Sequence, residues 1–170
     1  MRRILLAIIV SILGATTVYA QKSDSLNLKS SSISVDSLNV KLNTLQHSYD
    51  FLYCDYELHK VITNLSEFSN TTNISSNSLL ISYYNSRFDR DLYSTYLGLY
   101  NAKTENFNSL KENIGITTLA ILDKMLSSNF TEKEIAVIEN RFKLIESQMS
   151  TAEKALNYFE VVLDIYRKAK

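Results

Sequence analysis

Between positions 47 and 59 the sequence carries His47, Asp50, Cys54, Asp55 and His59, side-chain types that ligate metals and move protons. On a helix, His47, Asp50 and Cys54 stand at i, i+3 and i+7 and share a face, while Asp55 and His59 stand at i and i+4. A zinc site needs three or four converging ligands. The chain has only 2 His and 1 Cys, and the two His are too far apart for an i, i+4 pair. No metal site and no cofactor are therefore assigned, and Asp50 reads as a helix-edge residue that caps or is solvated. A Cys–His nucleophile pair would require an oxyanion hole, and the Gly-rich turns that could build one are missing. The sequence holds no Walker loop, dinucleotide fingerprint, Gly-x-Ser-x-Gly elbow or HExxH. The acids Glu132/Glu134 and Glu139/Glu146 are accounted for by capping and solvation. No catalytic residue is assigned, a non-enzyme is expected, and Cys54 reads as a small core hydrophobe.

Tyrosine is the unusual enrichment, with 11 in the chain. Its large apolar body and polar tip suit a bundle rim or a binding surface. Tyr49, Tyr56, Tyr96 and Tyr100 continue apolar helical tracks and read as core. Tyr53, Tyr84 and Tyr93 fall off those tracks. With Arg87 and Phe88, from the run Arg87-Phe88-Asp89-Arg90-Asp91, they form the candidate partner-contact surface. The competing reading of that run is a solvated helix face with local ion pairs.

The elements that must position these residues are helices. Pro is absent and Gly occurs 3 times in 170 residues, too few for the turns of a sheet protein. The most legible stretch is Thr131–Lys170. Ile135, Ile138, Phe142, Ile145, Met149, Ala152, Leu156, Phe159, Leu163 and Tyr166 alternate in steps of three and four, which is one helical seam. Thr131-Glu132-Lys133-Glu134 is a capping box at its start. Arg167 and Lys168 suit the negative end of the helix dipole.

A first helix is predicted from Val35 to Phe68. Its apolar residues begin as Leu38, Leu42, Leu45, Tyr49, Leu52 and Tyr56 and change track to Phe51, Cys54, Leu58, Val61, Leu65 and Phe68, so either the apolar face is broad at 51–56 and touches two partners or the seam shifts as at a stutter. Ser69-Asn70-Thr71-Thr72-Asn73 is polar with poor helix propensity and reads as a loop. A second helix is predicted to start near Ser76 or Asn77 and run to Ser127, with an alternative break at Gly115. The fold class expected is all-α: an elongated antiparallel bundle of three long helices, up-down-up, or four helices if the second breaks at Gly115.

Residues 1–20 have the layout of a secretory signal peptide. Arg2 and Arg3 precede the apolar run Ile4–Leu13, and Val18-Tyr19-Ala20 offers a cleavage site. The run is too short to span a bilayer as an anchor. Residues 21–33 are Ser- and Lys-rich and read as a flexible tether, and residues 34–170 as the bundle. Asp24-Ser25-Leu26 and Asp36-Ser37-Leu38 match a short O-glycosylation acceptor pattern, and Asn64, Asn70, Asn73 and Asn129 each head an Asn-x-Ser/Thr triplet. Both patterns arise readily by chance in so Asn- and Ser-rich a chain.

Losing Arg2 and Arg3 leaves 16 basic and 18 acidic residues, a formal net charge of −2 with no basic block. Nucleic acid is not expected as a partner, and no membrane span is expected after signal cleavage. These readings point to a secreted or periplasmic protein that acts by protein–protein contact, as a scaffold, adaptor or accessory subunit, through an unidentified partner or self-association. The alternative is a bundle that binds a small apolar ligand at a tyrosine-lined site between its first two helices.

Overall fold

The computed structural model describes residues 35–85 and 88–168. These form three helices, α1 (Val35–Asn85), α2 (Arg90–Ser127) and α3 (Glu132–Lys168), packed against each other, with no strand among the described residues. The predicted signal peptide and tether lie outside them. The chain divides into two units, residues 1–38 and 39–170. Only Val35–Leu38 of the first is described, as the opening turn of α1, and the helix packing belongs to the second.

The longest helix is α1, not the second helix that the sequence suggested. Its 51 residues correspond to roughly 77 Å at 1.5 Å per residue. The predicted loop Ser69–Asn73 is helical, and two effects explain it. Two hydroxyls in this stretch bond back to the preceding turn, Ser69 to the Leu65 carbonyl at 2.8 Å and Thr71 to the Phe68 carbonyl at 3.1 Å, which satisfies them inside a helix, while the buried Thr72 hydroxyl has no partner among the described residues. Packing does the rest. Leu58, Leu65, Thr72 and Leu79 stand seven apart and are all completely buried, so the core track runs straight through the polar stretch, with Thr72 and Ser76 as small core residues. Propensity is a weak prior that tertiary contacts override.

The real break comes later. Asp89 has extended backbone angles, φ −115° and ψ 121°, and its side chain accepts from the Asp91 and Leu92 amides at 2.8 and 3.0 Å. It is the N-cap of α2, which therefore starts at Arg90 and not near Ser76. α2 then runs unbroken through Gly115. A Cβ added there would meet nothing within 4 Å, so this glycine marks neither a close approach nor a kink. The four-helix alternative has no support.

α3 follows the predicted seam. Ile138, Ile145, Ala152, Leu156, Phe159, Leu163 and Tyr166 are buried, and Ile135, Phe142 and Met149 pack against the same core. Its capping box forms as expected. The Thr131 amide donates to Glu134 Oε2 at 2.9 Å, and the Glu134 amide donates to Thr131 Oγ1 at 3.3 Å. In the preceding turn Asn129 takes φ 47°, a left-handed conformation that Asn tolerates better than most residues.

The buried side chains form two groups. The larger joins Cys54, Leu58, Leu65 and Phe68 to Phe107, Ile121, Phe130, Ile138, Ile145, Ala152 and Leu156. The smaller joins Leu79 to Phe159, Val162, Leu163 and Tyr166, with Phe88, Leu92, Tyr93, Tyr96 and Tyr100 around it. Polar pairs knit the helices outside the core. His47–Glu134, Asp55–Arg141 and Asn77–Tyr158 join α1 to α3; Asp50–Lys124 and Thr71–Lys103 join α1 to α2; Lys111–Glu153 joins α2 to α3.

Candidate functional site

Among the described residues two apolar faces are left open by the fold, one on α2 at Ile116, Leu119, Leu122 and Leu126 and a longer stripe on α1. Leu42, Leu45, Tyr49, Leu52 and Tyr56 are 63%, 66%, 47%, 64% and 50% exposed. Their steps of three and four are those of a helical seam, yet they do not face the protein's own core. At roughly 100° per residue they lie on the side of α1 opposite Cys54, Leu58 and Leu65, which are fully buried. The expectation that Tyr49 and Tyr56 belong to the core is corrected accordingly, while Tyr96 and Tyr100 do pack on the smaller core group. Leu38, which leads the same track, is also exposed. Positions 39–46 are exposed throughout, ahead of His47 and Asp50, which tie α1 to its neighbours. The two apolar tracks of the first predicted helix are therefore not one shifted seam. They are two seams on two faces, and only one of them faces this bundle.

The residues proposed from sequence as a contact surface do not come together as one patch. Tyr53 is half-buried against the larger core group, stacked on Tyr49 with ring centres 6.5 Å apart and with Lys124 Nζ 5.5 Å from its ring centre. Tyr84 is 76% exposed and meets only the edge of Tyr83 among the ring contacts. It stands 31 positions along α1 from Tyr53, roughly 46 Å at the helical rise. Phe88 and Tyr93 do meet, at 6.1 Å, and pack on the smaller core group beside Tyr166. Arg87 lies outside the described residues.

The titratable residues noted in the sequence are also separated. His59 is exposed, and Cys54 is fully buried, which pushes its thiol pKa up. Asp55 accepts from Arg141 Nε at 2.8 Å. Among the described residues no group of His, Cys, Asp and Glu is arranged to hold a metal ion.

His47 and Asp50, by contrast, sit in a polar cluster that sequence reasoning missed. Asp50 is buried, not solvated at a helix edge. Its Oδ1 accepts from Lys124 Nζ at 2.6 Å and from Gln46 at 3.1 Å, and its Oδ2 accepts from the Ser128 hydroxyl at 2.8 Å. Burial pushes the carboxyl upward, but these hydrogen bonds outweigh it and hold the pKa below its ordinary value. His47 Nδ1 lies 3.0 Å from the Ser128 carbonyl, and Nε2 lies 3.1 Å from both carboxylate oxygens of Glu134. Both partners are acceptors, so the surroundings favour the imidazolium, the form that can donate from both ring nitrogens. The Ser128 carbonyl is the main cause of its raised pKa; burial opposes it, and Glu134 adds to it. An open cleft of about 450 Å³ runs beside these groups, lined by Asn43, Gln46, His47, Asp50, Ser127, Ser128 and Asn129. With both His47 nitrogens and both Asp50 oxygens engaged, the chemistry of the cluster is that of a clamp on the α2–α3 turn. Nothing in the sequence spacing could have joined positions 47 and 50 to 124, 128 and 134.

A smaller cleft of about 280 Å³ lies between α1 and α2, lined by Asn64, Glu67, Phe68, Thr71, Asn106 and Leu110. No helix among the described residues is long and apolar enough to cross a membrane. A scan against protein-family models and searches of curated proteins and of solved structures return no match.

Proposed function

We propose that this chain is an exported, non-enzymatic helical bundle that works by protein–protein contact, as a scaffold, adaptor or accessory subunit, and that the outer stripe of α1 is its contact face. In this reading residues 1–20 are removed on export, residues 21–33 form a tether, and the helices stack up, down and up. The pairing order supports that topology. His47–Glu134 and Asn77–Tyr158 rise together along α1 and α3, whereas Asp50–Lys124 and Thr71–Lys103 run in opposite senses along α1 and α2.

The observation that carries the reading is the exposure of Leu42, Leu45, Leu52, Tyr49 and Tyr56 at seam spacing. Isolated exposed apolar residues are normal on a protein surface, but a continuous apolar face marks an interaction site. The cleft between α1 and α2 is lined by mostly polar side chains and by no tyrosine, so it lends no weight to an apolar small-molecule ligand there.

Chemical cross-linking in the native host tests the reading. The wild-type chain is expected to give discrete cross-linked products, and Leu45→Lys with Leu52→Lys is expected to lose them at unchanged chain abundance. Catalytic turnover by the purified protein that disappears in Cys54→Ser or His59→Ala would overturn it.

A further inference from the structure

The spacing of the outer stripe selects among occupants. We infer that Leu42, Leu45, Tyr49, Leu52 and Tyr56 dock against the same stripe of a second copy of this chain, joining two bundles back to back through paired α1 helices. This rests on the protein-contact reading and names the partner.

The stripe is narrow. On this face only two positions in each heptad are large and apolar; from 42 to 49 Asn43, Thr44, Gln46 and Ser48 lie between them, whereas from 49 to 56 Phe51 and Cys54 turn to the protein's own core and Tyr53 lies half-buried at the edge of the stripe. A strict two-in-seven stripe is the seam of a coiled coil, narrower than the face by which a helix packs into a globular core. A helix that lies on a lipid surface needs a broader apolar face with Lys and Arg on the opposite side. Here the opposite side is the buried track through Cys54, Leu58 and Leu65. The occupant that matches such a seam is another helix with the same repeat, and this chain supplies one. A two-fold pair needs only one self-complementary patch.

Charge permits the pairing. The positions that flank the seam are Lys41, Gln46, Ser48, Tyr53, Asp55 and Lys60. They contain both signs and no run of one sign, so two copies meet without a repeated like-charge contact. In a parallel pair, Asp55 of one copy, already bonded to Arg141 of its own chain, also comes opposite Lys60 of the other.

Area permits it as well. Two tyrosines, whose side chains bury ~150–250 Å² each, and three smaller leucines, about half to two-thirds exposed here, give at most on the order of 500 Å² per copy and ~1,000 Å² together, the lower bound for a specific interface. Among the described residues positions 39–46 are exposed on all sides, so the Leu42 and Leu45 end of the stripe is open to a partner helix.

Sedimentation equilibrium of the purified exported chain, without residues 1–20, across a wide range of micromolar concentration tests the inference. The wild type is expected at twice the chain mass. Each of Leu45→Lys and Leu52→Lys is expected to weaken self-association by roughly 10- to 100-fold. The double variant is expected to be monomeric with unchanged helical circular dichroism, because both side chains are exposed in the monomer. Leu119→Lys with Leu126→Lys, on another exposed face, is expected to stay dimeric.

A monomeric wild type overturns the inference. So does a dimer that survives the α1 substitutions, or one that dissociates with the α2 pair. Binding of the stripe to phosphatidylcholine–phosphatidylglycerol vesicles in place of self-association also overturns it. The two proposals fail separately. A monomer whose stripe still cross-links to a different protein removes the second copy and leaves the protein-contact reading, whereas a monomer whose cross-links are unaffected by Leu45→Lys with Leu52→Lys removes both.

Discussion

Where α2 turns into α3, Asp50, His47 and Glu134 hold the chain by charge-assisted hydrogen bonds; where α1 gives way to α2, Phe88, Tyr93 and Tyr166 hold it by packing. At the packed end Tyr166 is completely buried, with the Phe88 ring 5.5 Å away, and its hydroxyl accepts from the Asp89 amide at 3.1 Å. Tyr96 and Tyr100 stand edge-on to Phe159 at 6.3 and 5.8 Å, one layer further in. At the polar end the buried aromatic is Phe130, edge-on to His47 at 5.6 Å and to Phe51 at 6.1 Å. Each turn therefore has an aromatic plug, but only at the α2–α3 turn do a histidine and a buried carboxylate close around it; the acids near the other, Asp89 and Asp164, are engaged in a helix cap and in surface pairs with Arg167 and Lys168. The same task of closing a helix pair is done with solvent-sensitive chemistry at one end and solvent-insensitive chemistry at the other.

Substitutions can separate the two. The largest effect is expected at the packed end. Tyr166→Ala removes a fully buried aromatic and leaves a cavity, which costs about 3–5 kcal/mol, read as a drop in the urea midpoint. That loss should be much the same at pH 5 and pH 8, because what is removed is packing against Phe88 and the smaller core group. A strongly pH-dependent loss would break the contrast between the ends.

Asp50→Ala at the polar end comes next. It strands a Lys124 ammonium that remains about a third exposed and leaves the Ser128 hydroxyl without its acceptor. Removing one member of a well-buried pair costs about 3–5 kcal/mol, and access of Lys124 to water reduces this to about 2 kcal/mol. The carboxyl's lowered pKa fixes the sign. Its contribution is complete above the unfolded value near about pH 4 and is lost as pH falls through the folded value. Asp50→Ala should thus cost most at neutral pH and least in strong acid.

The smallest effect belongs to His47. Its pKa is raised, so its contribution is complete below the free-imidazole value near 6.5 and is lost as pH rises through the folded value. The polar turn should be tightest between about pH 4 and pH 6.5, where the Asp50 and His47 contributions overlap. Urea midpoints measured from pH 5 to pH 9 are expected to drift down for the wild type and to stay flatter for His47→Gln. Equal drift in both would remove the imidazolium from the account.

The parts of this fold that could be read from sequence are those in which local and tertiary preferences agree. Along α3 every apolar step faces inward, and Thr131 and Glu134 form the cap that their types announce. The polar stretch 69–73 misled because Ser and Thr there are both poor helix formers and good small core residues, and only the buried track through Leu65, Thr72 and Leu79 decides between the two. The N-cap at Asp89 was present in the charged run around it, but an aspartate amid other charges carries no unique signal. The outer stripe was visible as a track of leucines and tyrosines. Its meaning was not, because spacing gives the face of a helix and not what covers that face. The clamp at His47 and Asp50 depended on which turn would arrive beside them, a fact of assembly that no local pattern encodes.

The single thiol of the chain, Cys54, lies at the heart of the larger core group, fully shielded, with its ionisation pushed up by burial. Reagents that need a thiolate can reach it only when α1 lifts away from α2 and α3. At saturating reagent, where modification outpaces reclosing, its rate reads how often the helices part; at low reagent it reads the population of the open form multiplied by the reactivity of the thiol. The protein thus carries its own reporter of breathing at the one place where all three helices must separate for the signal to appear.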